Sequence, residues 1–306
     1  MIALHKKGEW LEGTLDKRYA GIPLGQLLRE QWKWPKKTVH LLFQHKELLL
    51  DGKPVSQLAA GAAGQKLAAR LLAPEELGIE PVHGDLAVLY EDDHLLIVNK
   101  PAFLLVHPTE PGHRLTLDHF VAGYFAANGI ESKVRHIHRL DQDTSGAVLY
   151  AKHALAGAFL DEALRVRKVK RSYLAYIQGK LKQKSGTIDK PLGKDRHNPA
   201  RRRVTPGGET AITHYRLIEQ YAAAAKLGCQ LDTGRTHQIR VHLSDMGHPL
   251  IGDTLYGGKA AGLVRQALHA ASLSLIHPFG GATVQVDAPM PEELIELEKV
   301  LQNSRA

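Results

Sequence analysis

Residues 72–85, LAPEELGIEPVHGD, place two prolines and two glycines among acids and break the apolar pattern on either side. Such a stretch reads as a linker, so the 306 residues divide into a short leading part and a long following one. We place the boundary near Pro81, giving units of 1–80 and 81–306. In the short unit, IPLGQLLREQWKW (22–34) sets Leu24, Leu27, Leu28 and Trp32 on one helical stripe. HKELLLDGKPV (45–55) follows, with Asp51-Gly52 joining two short strands as a hairpin turn. The result is a small α+β unit.

The long unit alternates element types. LAVLYEDDHLLIVNKP (86–101) holds two strand-like runs about a turn at Glu91 to Asp93, and LTLDHFVAGYFAANG (115–129) spaces Leu117, Phe120, Val121, Tyr124 and Phe125 helically before Gly129 stops it. GAVLYAK, SYLAYIQGKL, THYRLIEQY, KLGCQLD and ATVQVDAP are rich in branched and aromatic residues and read as strands. PEELIELEKVLQ (291–302) closes the chain as an amphipathic helix opened by proline. The expected fold class is α+β, with a mixed, mainly antiparallel sheet flanked by helices.

Charge narrows the partner. The formal net charge of +8 is clustered: RVRKVKR (165–171) carries five bases and no acid, KDRHNPARRR (194–203) five bases and one acid. Clustered bases suit a polyanion such as nucleic acid or, less often, a membrane surface, although a solvated face is an equally common origin of either run. Cys229 is the sole cysteine, which excludes an internal disulfide or a thiolate metal cluster and fits a reducing compartment. No signal peptide and no apolar run of membrane-spanning length is present. A cytoplasmic protein is expected.

Two stretches carry candidate chemistry. HRLDQDTSG (138–146) packs Arg139, Asp141, Asp143, Thr144, Ser145 and Gly146 together; on a strand, Arg139 and Asp141 would share a face. A carboxylate beside an arginine stays ionised and suits a nucleophile or base, although the same residues could build a structural turn. LDTGRTHQIRVHL (231–243) interleaves Gln238, Arg240 and His242 with Ile239, Val241 and Leu243, so some polar groups must lie near buried surface and need partners. A carboxylate elsewhere in the chain would satisfy Arg235.

These stretches resemble one family. HRLDQDTSG is similar to the signature of the RluA-type pseudouridine synthases, EDDHLLIVNKP with VHP to their opening motif, KRSYLAYIQG to their tyrosine strand, and TGRTHQIRVHL to their late arginine motif. The resemblance runs from about residue 86 to 297 and implies an isomerase that detaches uracil from its ribose in RNA, rotates it and rejoins it through a ring carbon. By motif, Asp141 would be the catalytic aspartate, attacking the sugar or removing a sugar proton. Tyr173 would stack on the target base and assist proton transfer, Arg235 would pair with Asp141, and Arg139 would support the site or fill the space the base leaves. Arg165, Arg167, Lys168, Lys170, Arg171, Arg201, Arg202 and Arg203 would grip phosphates, because the flipped base must be extracted at a cost of a few kcal/mol. Residues 1–80 resemble an S-four-like RNA-binding module, which favours ribosomal over transfer RNA. No cofactor, metal, membrane or obligatory protein partner is implied, and a monomer is expected. Phe103 stands where the opening motif usually has glycine, which puts the conformation of that loop in question.

Three other readings compete. DTSG (143–146) and DTG (232–234) could mimic an aspartic-protease dyad, but the first has serine where glycine is needed and the second precedes Arg235. His136 and His138 with Asp141 could ligate a metal. A catalytically silent RNA-binding assembly factor is disfavoured by the joint presence of Asp141, Tyr173 and Arg235.

Overall fold

The computed structural model describes residues 1–304. Strands His5–Lys7, Trp10–Thr14, Lys66–Arg70, Leu48–Leu50 and Lys53–Pro54 lie side by side in that order as an antiparallel sheet. Asp51 and Gly52 take φ of 47° and 78°, the left-handed pair that a tight hairpin demands. Aspartate serves there because its carboxylate accepts from the Lys66 amide at 2.8 Å and from Gln65 Nε2 at 2.9 Å, tying the turn to the next strand. The helical stripe of Leu24, Leu27, Leu28 and Trp32 is buried with Leu11, Leu48 and Leu67.

Residues 71–87 carry no helix or strand. A ten-stranded sheet follows, with Ser185–Asp189, Ile212–Gln220, Ala224–Leu231, Lys170–Gln178, Leu268–Ile276, Ser145–Ala151, Leu95–Lys100 and Val88–Glu91 in spatial order, and two further strands attached. All pairings within it are antiparallel except that of Leu268–Ile276 with Ser145–Ala151, so the sheet is mixed and mainly antiparallel, as expected. Helices cover both faces. On Leu95–Lys100, Leu95 and Ile97 join one apolar cluster while Leu96 and Val98 join another. Both faces being buried explains why LLIV and AVLY read as continuous apolar runs rather than alternating ones.

The cluster containing Ile97 and Leu149 also contains Leu4, Leu11 and Trp34, so the core of the N-terminal unit is continuous with one face of the large sheet. A buried chain of histidines marks this junction. His153 Nδ1 accepts from the Ala156 amide, so its Nε2 carries the proton and donates to His94 Nδ1 at 3.0 Å. His94 Nε2 then donates to the Leu4 carbonyl at 2.7 Å. The chain works only when both rings are neutral. Burial, then the neighbouring His94, pushes His153 down to about 3. The folded pKa lies below the unfolded value of ~6.5, so this contribution is complete above about pH 6.5 and is lost as pH falls, at about 1.4 kcal/mol per unit. Acidification from pH 6.5 to 5 is therefore expected to remove about 2 kcal/mol at this site, read as a lower urea midpoint. His153→Asn, which keeps a helix-capping acceptor, should flatten that slope; an unchanged slope would place the acid sensitivity elsewhere.

Candidate active site

Asp141 stands at the start of a tight turn, closed by a hydrogen bond from the Thr144 amide to its carbonyl at 3.0 Å, directly before the strand Ser145–Ala151. Gly146 has φ of 118°, and a Cβ there would strike the Ala270 carbonyl. The glycine of TSG therefore lets the two parallel strands meet just behind the carboxylate. Residues 139–141 are not in a strand, so the alternation that would pair Arg139 with Asp141 does not apply. Arg139 turns instead to Thr236 Oγ1 at 2.8 Å and lines the cleft.

The arginine that meets Asp141 is Arg240. Its Nη1 lies 3.2 Å from Asp141 Oδ2, while Nε and Nη2 hold both oxygens of Asp253 at 2.8 and 2.9 Å. Asp253 is 1% exposed and Arg240 8%, whereas Asp141 retains 22%, so the fork is anchored in the core and presents its third arm to a carboxylate at the cleft. Burial works against the charge of Arg240, but Asp253 and Asp141 override it and hold the guanidinium protonated. Its Cζ also lies 5.1 Å from the centre of the Tyr256 ring.

The expected pairing of Arg235 with Asp141 is thereby corrected. Arg235 pairs with Glu209 at 2.5 Å and donates from Nε to the Thr210 carbonyl at 3.1 Å. It precedes the helix Gln238–Asp245, whereas Arg240 is carried inward on it. The six residues from Gln238 to Leu243 are all buried, and the polar ones have partners. Gln238 bonds Ile212, Thr213 and Arg235, and His242 bonds Thr213 and the Lys190 carbonyl. Arg235 still lines the cleft, together with Leu140, Tyr173, Ile239 and Leu268.

Tyr173 lies on Lys170–Gln178 where the register against Leu268–Ile276 shifts, between Ser172 and Leu174. A bulge re-aims its side chain, and here it delivers the ring beside Asp141 and Thr144. Burial raises the phenol pKa, Arg171 opposes the rise and Asp141 adds to it, so the hydroxyl keeps its proton.

Lys100, a buried residue whose part in the site its motif did not reveal, braces the same turn. Its Nζ donates to the carbonyls of Pro101, Leu104 and Gln142 at 2.9, 2.6 and 2.8 Å. Burial pushes the ammonium down to about 7 against the pull of Asp143 and Asp141, while the three carbonyls take up all three donors of the charged form. The loop so held contains Phe103, at φ 65° and 56% exposed. That left-handed backbone is what glycine adopts freely and phenylalanine does not. Phe103→Gly is expected to hold or raise stability by up to about 1 kcal/mol by urea denaturation, since little packing is lost; a clear fall would show that the exposed ring supports the loop.

The basic runs separate. Arg165 pairs with Glu162 and Arg167 with Asp232, both exposed arginines, and Lys168 and Lys170 are exposed as well. Arg202 and Arg203 lie on a hairpin, Leu192–Lys194 with Arg202–Val204, and Arg201 precedes it with its guanidinium over Tyr256 at 5.3 Å. Arg171, expected on the same solvated face as its neighbours, is instead 8% exposed. The rival constellations do not assemble. His136 turns to Asp118 at 2.9 Å and His138 Nε2 accepts from the Leu149 amide, while Asp232 is engaged by Arg167 and His214 rather than by Asp143.

Comparison with known proteins gives the family. The RNA pseudouridylate synthase family matches residues 94–245, and the RluD ribosomal pseudouridine synthase N-terminal domain matches residues 11–67. An uncharacterized RNA pseudouridine synthase of Bacillus subtilis, YhcT, is 41% identical over 96% of this chain and 98% of its own length. Ribosomal large subunit pseudouridine synthase D is 35% identical in Nitrosomonas europaea, over 96% of this chain and 88% of that protein, and 32% identical in Escherichia coli, over 95% and 94%. Human RNA pseudouridylate synthase domain containing 1 superposes with a TM-score of 0.57 at 26% identity, covering 76% of this chain and 98% of that one. With relatives 32 to 41% identical over 95 to 96% of its length, the chain belongs to the RluA/RluD-like family of RNA pseudouridine synthases.

Proposed function

We propose that this enzyme isomerises uridines of large-subunit ribosomal RNA, with Asp141 as the catalytic carboxylate. The carrying observation is that Asp141 is the partly exposed arm of an otherwise buried Asp253–Arg240–Asp141 array, with the Tyr173 ring beside it. In the reaction the N1–C1′ bond breaks, the uracil turns, a C5–C1′ bond forms, C5 gives up its proton and N1 takes one. Asp141 acts on the sugar, either by attack at C1′ or by removing the C2′ proton. Arg240 positions it, and Tyr173 stacks on the base and relays the proton. Arg235 and Arg139 line the space around the extruded nucleotide.

Exposed and half-buried bases supply sequence-independent affinity. Arg165, Arg167, Lys168 and Lys170 on one side and Arg201, Arg202 and Arg203 on the other would neutralise phosphates and offset the cost of extracting the base. The N-terminal unit, 1–80, would add RNA contacts ahead of the catalytic unit, 81–306. The ribosomal target is supported by the relatives named as ribosomal large subunit pseudouridine synthase D and by the N-terminal match. A monomer working in the cytoplasm without a cofactor completes this reading. It is tested by mapping pseudouridine in total RNA from cells with and without the gene, using a carbodiimide adduct that survives alkali. Sites lost on deletion and restored by wild type but not by Asp141→Asn, all in large-subunit RNA, are expected. Loss confined to transfer RNA would overturn the target, and no loss would overturn the activity in the cell.

A further inference from the structure

Arg171 is a buried cation without a counter-charge. Its Nε is sealed from solvent with no acceptor, and among the described residues no hydrogen bond or ion pair involves its guanidinium. Buried arginines elsewhere in the chain are satisfied: Arg240 by two aspartates, Arg265 by Glu293 and by the Asp143, Gln266 and Leu268 carbonyls. Sealing a guanidinium Nε away without an acceptor is costly, and natural folds pair such groups or use them.

Its surroundings point to use. Arg171 is two residues before Tyr173 and lines both the Asp141 cleft and an adjoining cavity of about 540 Å³. That cavity also holds Arg139, Arg165, Arg167 and Arg235; of its two acids, Asp232 is already engaged by Arg167 and His214 and Asp161 is exposed to solvent. A Cβ at Gly234 would stand 3.1 Å from Nη1, so the glycine of TGR leaves the guanidinium uncovered on the cleft side. His138 nearby is kept neutral, by burial first and then by Arg171, so it offers no rival cation.

We propose that Arg171 is a preformed site for one RNA backbone phosphodiester, that of the nucleotide whose base enters the Asp141 cleft or of its immediate neighbour. This deepens the reading of the protein as an RNA-modifying enzyme and rests on it. Unlike the exposed lysines and arginines, which track the backbone loosely, a buried fork can take two oxygens of a single phosphate and fix where the target sugar lies relative to Asp141. Arg171 lines both the cavity and the cleft that Tyr173 lines, so a phosphate held by it would sit where the two adjoin.

The test compares wild type and Arg171→Met in binding a target-bearing RNA fragment, with each phosphodiester beside the target uridine replaced in turn by neutral methylphosphonate. Wild type is expected to lose about 10- to 100-fold in affinity at one linkage. Arg171→Met should show the same loss on natural RNA, no further loss at that linkage, and a salt dependence reduced by about one phosphate. Its melting temperature should hold or rise, because no partner is stranded; a purely structural arginine would lower it and leave the salt slope alone. Arg171→Lys should recover part of the binding. Wild-type affinity and salt slope in Arg171→Met, or losses that simply add at every linkage, would overturn the site. Since the readout is binding, failure of the Asp141 assignment would appear separately, as turnover by Asp141→Asn.

Discussion

Asp141→Asn is expected to fold, to bind RNA like wild type and to form pseudouridine at least about 10³-fold more slowly. The variant keeps the size of the side chain and removes its charge. Folding survives because Arg240 remains clamped by both oxygens of Asp253, so no buried cation is released by the change. RNA affinity survives because none of the bases proposed to bind phosphate pairs with Asp141, whose partner is Arg240. Turnover does not survive, because an amide can neither attack C1′ nor accept the C2′ proton. The measurement is tritium release from RNA labelled at uridine C5, the proton lost in the rearrangement. Activity within tenfold of wild type would remove Asp141 from the chemistry.

Arg240→Met should destabilise the fold by about 3 to 5 kcal/mol, while Arg235→Met should cost less than about 1 kcal/mol. Both arginines belong to one motif and differ only in where packing puts them. Removal of Arg240 strands Asp253, which is 1% exposed and has lost both its charge-assisted hydrogen bonds. Removal of Arg235 frees Glu209, which is 70% exposed and simply rehydrates. Urea midpoints distinguish the two, and Arg240→Met with Asp253→Asn should recover part of the loss, the two changes being coupled. Equal costs, or the larger one at Arg235, would show that the array at Asp141 is not the anchor described.

Much of the architecture was legible because it rests on short-range rules. Asp51-Gly52 announces a hairpin since few residue pairs tolerate two left-handed dihedrals. The run from Leu95 to Val98 announces a strand buried on both faces, and the spacing of Leu24, Leu27, Leu28 and Trp32 announces a stripe that meets the N-terminal core. The stretch around Asp141 was legible as a tight turn from its residues alone, and as candidate chemistry only through the order of the family motifs around it. Less was legible about neighbours. Arg171 read as one base of an exposed run, yet strand alternation turned it inward beside Tyr173. Lys100 read as part of a motif, yet it braces the turn at Gln142, 42 residues away.

By itself, then, the sequence determined the element types, the mixed sheet and the family, all of which follow from residue type, period and motif order over short distances. The tertiary structure alone decided that Arg240 rather than Arg235 reaches Asp141 across 99 residues, that Asp253 anchors it, and that Arg171 is buried unpaired. The reason is physical: which partner a charged side chain finds depends on which groups the packed core leaves within about 3 Å of it, and no local pattern encodes that distance.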